Sequence, residues 1–294
     1  MKQLLTILLA ICCLSACKQE RKSFSAPVSD LGHVDLVLDS AAFHAILQDS
    51  FLTNQFAIVF QDTTQYSKPS YDIYMLGGEA FLHISLATEY WENKAGSGVM
   101  IFQTRRPGNG DSLLLSWRQF FKDSLNATSF KGSDFNTSEI LPYRKKDSLK
   151  PAEPNFTPIL TSYSTQAYKN WDFSDTQIND GISMREFMLS WDSSIQSKLF
   201  KKIKALHIQL TQQEFTETES ALYAMGYTKQ GSQFIHEFNP LIYYQITETN
   251  AVPKYSRIEI ELNEPTAERT IQLGDTYEIK VKNTLLVIQE RGAN

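Results

Sequence analysis

The sequence predicts an α+β protein in which βαβββ-like units recur and form cupped mixed sheets with helices outside. Two observations indicate this class. Segments with apolar residues at every second position alternate with segments whose apolar residues follow helical spacing. In addition, the order strand–helix–strand–strand–strand recurs, at about residues 33–86 and again at about 205–290. A degenerate copy of the unit is expected between these two regions.

The first unit begins with the strand HVDLVLD, which starts at His33. Successive side chains of a strand point to opposite faces, so Val34, Leu36 and Leu38 share one face while His33 and Asp35 share the other. Ser40 is expected to cap the helix that follows, because a serine side chain can accept a hydrogen bond from a backbone N–H of the first turn. Three further strands are expected at 56–63, 71–76 and 80–86.

The middle of the chain has a less regular pattern. A strand is expected at 98–103, followed by a helix at 113–121 whose large apolar residues recur at helical spacing. Residues 126–155 are rich in Ser, Thr, Asn, Lys and Pro, which predicts a long surface loop with little regular structure. Two strands are then expected at 156–163 and 184–191.

The last unit has the clearest signals. Residues 205–210 (ALHIQL) alternate as a strand. Thr211 and Glu214 have the T-x-x-E spacing of a capping box, and Gly226 suits the position after the last helical residue. The unit is expected to end with strands at 234–247, 256–262 and 276–289.

The first residues predict export and lipidation. Lys2 precedes an apolar run from Leu4 to Leu14, which has the length of a signal-peptide core and is short for a membrane-spanning helix. The run ends in Leu-Ser-Ala-Cys, which resembles the lipobox of bacterial lipoproteins. This resemblance implies cleavage before Cys17 and attachment of acyl chains to its thiol. An ordinary secretory signal is the alternative.

Composition excludes several classes of function. All three cysteines lie within residues 12–17, so the chain after Cys17 has no thiol for disulfides, thiol catalysis or cysteine-ligated metals. Removal of residues 1–16 takes one lysine from the 28 Lys and Arg and leaves 27 against 33 Asp and Glu, a net charge of −6. A mildly acidic chain of this kind lacks the basic balance typical of nucleic-acid binding.

Several segments resemble the vicinal oxygen chelate superfamily, the glyoxalase-like group built from paired βαβββ modules. His33–Asp39 resembles its first strand, which opens with His and ends in Asp before the helix. His207–Thr211, followed by a helix and by LYAMGY at 222–227, resembles the opening of a second module. More closely, 33–57, 74–84, 222–227 and 257–265 are similar to a family of bacterial proteins with glyoxalase-like features.

The lipobox resemblance and the glyoxalase-like resemblance together imply a domain organisation. A signal peptide is expected at 1–16, and the lipidated Cys17 with a polar tether at 17–30. The first glyoxalase-like domain is expected at 31–200 and a C-terminal βαβββ-like unit at 201–294. The protein is therefore expected in the cell envelope, attached to the outer membrane on its periplasmic or surface side.

Metal-binding relatives in the superfamily place a His on the first strand of a module and a Glu on its last strand. The resemblance therefore implies a metal set of His33, His83, His207 and Glu290, with His83 where the family tends to have Glu. Each of the three histidines lies on the polar face of its predicted strand, so a shared cleft is expected. Three imidazoles and a carboxylate, from Glu290 or from Glu186, suit Zn, Fe or Mn.

Three functions remain open at this point. The first is a cleft that binds a small molecule or an envelope partner without a metal. The second is a metal-dependent lyase, isomerase or dioxygenase of the vicinal-oxygen-chelate type. The third is a structural or accessory role in the envelope, with the histidines as solvated groups on an exposed sheet face.

Overall fold

The computed structural model describes residues 26–65, 69–88, 94–110, 112–113, 115–116, 126–131, 138–143, 156–248 and 254–292. The expected signal peptide, Cys17 and most of the helix expected at 113–121 lie outside these residues. The described chain is a mixed α+β structure with two mixed sheets, which confirms the predicted class.

The first half of the larger sheet is a βαβββ unit. Its strand order is β2-β3-β4-β1, with β1 parallel to β4 and the other neighbours antiparallel. This matches the first predicted unit. Asp39, rather than the predicted Ser40, caps the helix: its side chain accepts a hydrogen bond from the backbone N–H of Ala42 at 2.9 Å. The elements are β1 (Ser29–Leu38), α1 (Ser40–Gln48), a π-helical turn (Leu52–Phe56), β2 (Ile58–Gln65), β3 (Pro69–Leu76) and β4 (Phe81–Leu86).

Four more strands extend this sheet beyond β1. Strand β5 pairs antiparallel with β1 and parallel with β8, and the order continues through β7 to β6. Two of these strands lie within residues 126–155, so the prediction of a long loop there is wrong for those segments. The elements are β5 (Gly98–Thr104), β6 (Asn126–Lys131), β7 (Ser138–Tyr143) and β8 (Phe156–Ser162).

A group of short helices follows β8. They are α2 (Thr165–Asn170), α3 (Asp175–Asp180), α4 (Met184–Trp191) and a 3₁₀ turn (Ser193–Ser197). The strand predicted at 184–191 is therefore wrong. Ser183 and Glu186 form a reciprocal capping box at the start of α4, and Met184, Phe187 and Met188 are buried. These helices pack on one end of the β3–β4 surface through Leu76 and Phe81.

The smaller sheet contains a second βαβββ unit. Its order is β10-β11-β12-β9, with β9 parallel to β12, as in the first unit. The unit ends at Thr247, whereas the sequence pattern predicts it to continue to about residue 290. Its elements are β9 (Phe200–Thr211), α5 (Gln212–Ala224), β10 (Thr228–Gln230), β11 (Gln233–Ile235) and β12 (Leu241–Thr247). The predicted T-x-x-E capping box is present at Thr211 and Glu214.

A long hairpin of β13 (Tyr255–Leu273) and β14 (Tyr277–Glu290) extends the smaller sheet beyond β9. The hairpin bends sharply where its register shifts near Asn283, which has a positive φ of 53°. The two ends of β14 lie close together as a result. The Gln289 side-chain amide donates a hydrogen bond to the Glu278 carboxylate at 2.9 Å. The backbone N–H of Arg291 also donates to the carbonyl of Thr276 at the hairpin tip at 2.9 Å.

The hairpin tip closes over α1. Gly274 has φ +59°, and a Cβ there would lie 3.1 Å from the backbone N of Ala42. The guanidinium carbon of Arg269 lies 3.9 Å from the ring centre of Phe51. The helix therefore lies between the first sheet and the hairpin, with Ala42, Phe43 and Ile46 buried, whereas the sequence predicts helices on the outside of the sheets. One hydrophobic core joins α1 to both sheets.

Within the part of the chain that the structure describes, none of the helices combines the length and the apolar character that crossing a bilayer requires.

Candidate functional site

The polar face of the first βαβββ unit brings chemistry-bearing side chains together. Because side chains alternate along a strand, Val34, Leu36 and Leu38 of β1 face the core, while His33 and Asp35 face the other side. The parallel register pairs Asp35 with His83 of β4, and the antiparallel register pairs His83 with Tyr74 of β3. Local alternation and register thus produce a continuous row of functional side chains across three strands.

Asp35 connects the two histidines. Its Oδ1 atom lies 3.0 Å from Nδ1 of His83 and 3.3 Å from Nε2 of His33. One ligand atom from each of these three residues lies within 4.8 Å of the others. Their side chains are 11–19 % exposed, so the cluster is partly accessible from solvent.

A second carboxylate contacts the far side of His83. Oδ1 of Asp72 lies 3.2 Å from Nε2 of His83, an ion-pair contact rather than an aligned hydrogen bond. The same oxygen accepts hydrogen bonds from the hydroxyls of Ser70 at 3.0 Å and Ser85 at 2.7 Å. The Asp72 side chain is 3 % exposed, so these contacts fix its position.

Aromatic rings support both imidazoles. His33 stacks on Phe81 with 4.2 Å between ring centres, and His83 stacks on Tyr74 with 4.5 Å. Tyr74 in turn stacks on Phe60 of β2 at 4.8 Å. Stacking of this kind restricts the ring planes and leaves the ring nitrogens to determine the polar contacts.

The two histidines differ in charge. Burial lowers the pKa of His33 to about 4, although the negative charge of Asp35 opposes the shift. Burial would also lower the pKa of His83, but the hydrogen bond with Asp35, the close contact with Asp72 and the negative charges of both carboxylates outweigh it and raise that pKa to about 9. At neutral pH, His33 is therefore neutral and His83 is an imidazolium between two carboxylates.

The donor set suits a divalent metal, and the two distances from Asp35 fit ligands of one ion. Two ligands that each bind one ion at about 2.1 Å are about 3.0 Å apart at an octahedral angle and about 3.4 Å apart at a tetrahedral angle. The contacts of Asp35 Oδ1 with His83 and His33, at 3.0 and 3.3 Å, fall in this range. Two imidazoles and one carboxylate are a set that binds Fe(II), Mn(II) or Zn(II) with open positions. A metal would have to replace the proton of His83 at Nδ1.

His207 and Glu290 lie in the other sheet. His207 stacks on Tyr243 at 4.5 Å and its Nε2 lies 3.3 Å from the Glu259 carboxylate, while Glu290 accepts a hydrogen bond from Gln209 at 3.4 Å. Burial lowers the pKa of His207, and the contact with Glu259 partly offsets this effect. Among the described residues, the structure brings His33 and His83 together and does not place His207 or Glu290 with them.

His33 and His207 do not occupy equivalent positions in their two strands. Relative to the cap of the following helix, their positions differ by two residues. His33 lies six residues before its helix cap at Asp39, whereas His207 lies four residues before its cap at Thr211. Counted from the caps, His207 corresponds to Asp35. The strand pairing agrees, since Asp35 pairs with His83 in the first unit and His207 pairs with Tyr243 in the second. The second unit therefore has a tyrosine where the first has the second histidine.

Sequence reasoning missed the two carboxylates of the site. The strand pattern places Asp35 only on the polar face beside His33, and it places Asp72 only within the strand expected at 71–76. The spacing H-x-D at 33–35 was a usable signal, since it places both groups on one face. The role of Asp72 needed the register between β3 and β4, which the sequence does not specify. Glu186, the other carboxylate considered, accepts hydrogen bonds at the cap of α4.

A separate cleft of ≈ 360 Å³ lies where the two units meet. Two of its charged groups pair with each other: Arg105 donates two hydrogen bonds to Asp30, at 2.8 and 2.9 Å, and the backbone N–H of Met184 donates to the same carboxylate. The Asn239 side chain bridges to the backbone of Ser29 and Leu31. These contacts hold the two units together. The histidine cluster is therefore the better candidate for a functional site.

Comparison with known proteins adds a family but no activity. No curated protein matches the chain significantly. Among solved structures, a hypothetical protein from Staphylococcus aureus aligns with a TM-score of 0.49 and 12 % sequence identity, covering 83 % of this chain and 95 % of the other. The profile of the family of unknown function DUF5829 matches residues 31–287, and the chain therefore belongs to this family.

Proposed function

We propose that this protein is a lipid-anchored cell-envelope protein that holds a divalent metal at His33, Asp35 and His83 and binds a small molecule beside it. One observation carries the metal assignment: Oδ1 of Asp35 lies 3.0 and 3.3 Å from one nitrogen of each imidazole, and the three donor atoms lie within 4.8 Å of one another. The proposed set replaces His207 and Glu290 with Asp35.

The surroundings favour a ligand that makes apolar and ring contacts. Phe81 and Tyr74 flank the histidines, and Trp191 lies 5.8 Å from Phe81 while 40 % exposed. Among the described residues of β1–β4 that share this face, none is Lys or Arg. A bound metal would supply Lewis-acid polarisation of a ligand oxygen. The rings would hold the rest of the ligand by packing.

A glyoxalase-like ancestry and an envelope location are part of the proposal. Support for the ancestry comes from the strand order, since β2-β3-β4-β1 and β10-β11-β12-β9 repeat the same βαβββ connection. Support for the location comes from the apolar run and the Leu-Ser-Ala-Cys ending at Cys17.

A metal-free binding site is the second candidate. The opposite pKa shifts of His33 and His83 favour it, because they place a neutral imidazole beside an imidazolium in one cluster. The imidazolium would donate to an oxygen of the ligand, and the neutral ring would accept a proton or a hydrogen bond. This site would bind a ligand without a gain from added metal.

Metal analysis of the full-length protein, purified in mild detergent without chelators, separates the two candidates. The metal site predicts about one equivalent of Zn, Fe or Mn, or a rise in melting temperature when one of these ions is added. Less than about a tenth of an equivalent, with no thermal shift for any of the three, would eliminate the metal proposal. A thermal shift with small molecules alone would then support the metal-free site.

A further inference from the structure

We infer that Asp72 is a positioning residue, which orients His83 so that Nδ1 faces Asp35 and the metal position. This inference rests on the proposed metal site and goes beyond it, since Asp72 is not one of the three ligands. Asp72 belongs to β3, one strand further from β1 than His83. The assignment follows from its contacts, its burial and a comparison with a neighbouring aspartate.

The contacts place Asp72 on the opposite ring nitrogen from Asp35. Nδ1 of His83 lies 3.0 Å from Asp35, and Nε2 of the same ring lies 3.2 Å from Asp72. A histidine that binds a metal through one nitrogen generally donates its other N–H to a carboxylate or carbonyl, which fixes the tautomer and the ring orientation. Asp72 is placed to be that acceptor when Nδ1 binds a metal.

Two serines hold the carboxylate itself. Ser70, on the same strand, and Ser85, on β4 two residues after His83, both donate to Oδ1 of Asp72. Ser70 and Ser85 are each 1 % exposed. A carboxylate that accepts two hydrogen bonds in a buried setting is held in one orientation, and it transfers this order to the imidazole that it contacts.

The stack of His83 on Tyr74 does not by itself select a ring nitrogen. An interplanar angle of 7° fixes the plane of the imidazole, but a half-turn about its Cβ–Cγ bond would exchange the sides of the ring within that plane. The two carboxylates, one at each nitrogen, remove this ambiguity. Asp72 therefore helps to select which ring nitrogen faces Asp35, which the stack on Tyr74 cannot do.

Asp62 provides a matched control within the same fold. It pairs directly with Asp72 across β2 and β3, so it lies in the same row of the same sheet. Asp62 is exposed, and its carboxylate accepts a hydrogen bond from the backbone N–H of Thr63 at 2.7 Å. Asp62→Asn removes the same charge from the same row without changing a contact of His83.

The experiment measures Zn²⁺ affinity by chelator competition for the full-length wild type, Asp72→Asn and Asp62→Asn. The competition is measured at pH 9, because a carboxylate at each ring nitrogen of His83 favours its protonated form, and alkaline pH limits the competition between protons and Zn²⁺. We expect Asp72→Asn to weaken Zn²⁺ binding by about 10- to 100-fold and Asp62→Asn to change it less than about twofold. The visible spectrum of the Co²⁺-loaded Asp72→Asn variant should also differ from that of the wild type.

Each outcome is informative. Equal affinities and equal Co²⁺ spectra for wild type and Asp72→Asn would overturn the positioning role while leaving the metal site intact. A lower melting temperature of metal-free Asp72→Asn, with unchanged affinity of its folded form, would also overturn it, because Asp72 would then only stabilise the fold. Absence of Zn²⁺ binding by the wild type would instead contradict the proposed metal site itself.

Discussion

Metal binding at His33, Asp35 and His83 should be linked to the loss of one proton. In the metal-free protein, His83 lies between Asp35 and Asp72, and its pKa is raised to about 9. A metal requires the neutral imidazole as its ligand, so binding must remove this proton. At pH 7, about 1 % of His83 is neutral, and deprotonation costs about 2.7 kcal/mol.

The pH dependence follows from the two opposite shifts. Between pH 6 and 8, the logarithm of the metal affinity should rise by about one unit per pH unit, and it should level off above about pH 10. His33 adds nothing in this window, because its pKa of about 4 leaves it neutral throughout. The slope therefore reports His83 alone.

Co²⁺ titrations at several pH values, followed by visible absorption, measure this slope. Calorimetry in two buffers of different ionisation enthalpy counts the released protons directly at pH 7, where about one is expected. An affinity that is independent of pH between 6 and 8, or a release near zero, would refute the reasoning that His83 is both an imidazolium and a ligand.

Three other predictions concern the fold and the anchor. Lys254 and Glu214 form a fully buried ion pair at 2.9 Å, so Lys254→Met should lower the free energy of unfolding by about 3–5 kcal/mol in urea titrations. The double variant with Glu214→Leu should recover only part of that loss, because it also removes the capping hydrogen bond from the backbone N–H of Thr211. If the double variant is less stable than the single one, this interpretation fails. A Cβ at Gly98 would lie 2.7 Å from the carbonyl oxygen of Asp35 and collide with the Tyr255 ring. Gly98→Ala should therefore lower the free energy of unfolding by about 1–3 kcal/mol. No measurable change in this free energy would show that the two sheets can separate there. Cys17→Ser should release the protein from the membrane fraction while Cys12→Ser should not, and membrane retention of Cys17→Ser would contradict the lipid anchor.

The first unit was predictable because its strands alternate clearly and its helix has a plain apolar spacing. The second unit was placed too far along the chain for a physical reason. Its strands β10 and β11 have three residues each, too few to show a period of two, whereas the longer β13 and β14 show it strongly. A strand is predicted where α4 lies, although Ser183 and Glu186 have the S-x-x-E spacing of a capping box, which indicates a helix.

The candidate site was predictable only in part. Alternation alone places His33 and His83 on polar faces, and the structure brings them together as neighbours of Asp35. The number of residues between each histidine and its helix cap shows that His207 and His33 are not equivalent. This number can be counted in the sequence. Asp72 was not accessible in the same way, because an aspartate in a strand usually faces solvent, and only the register of β3 on β4 turns it towards His83.

The most direct measurement compares metal binding by two histidine variants. Calorimetric titration of Zn²⁺ into full-length His33→Gln and His207→Gln, beside the wild type, tests which histidine belongs to the site. We predict that His207→Gln keeps about one site of wild-type affinity, while His33→Gln weakens binding at least about 100-fold, because it removes one of three protein ligands. Wild-type binding by His33→Gln, or loss of binding in His207→Gln, would contradict a metal site built from His33, Asp35 and His83.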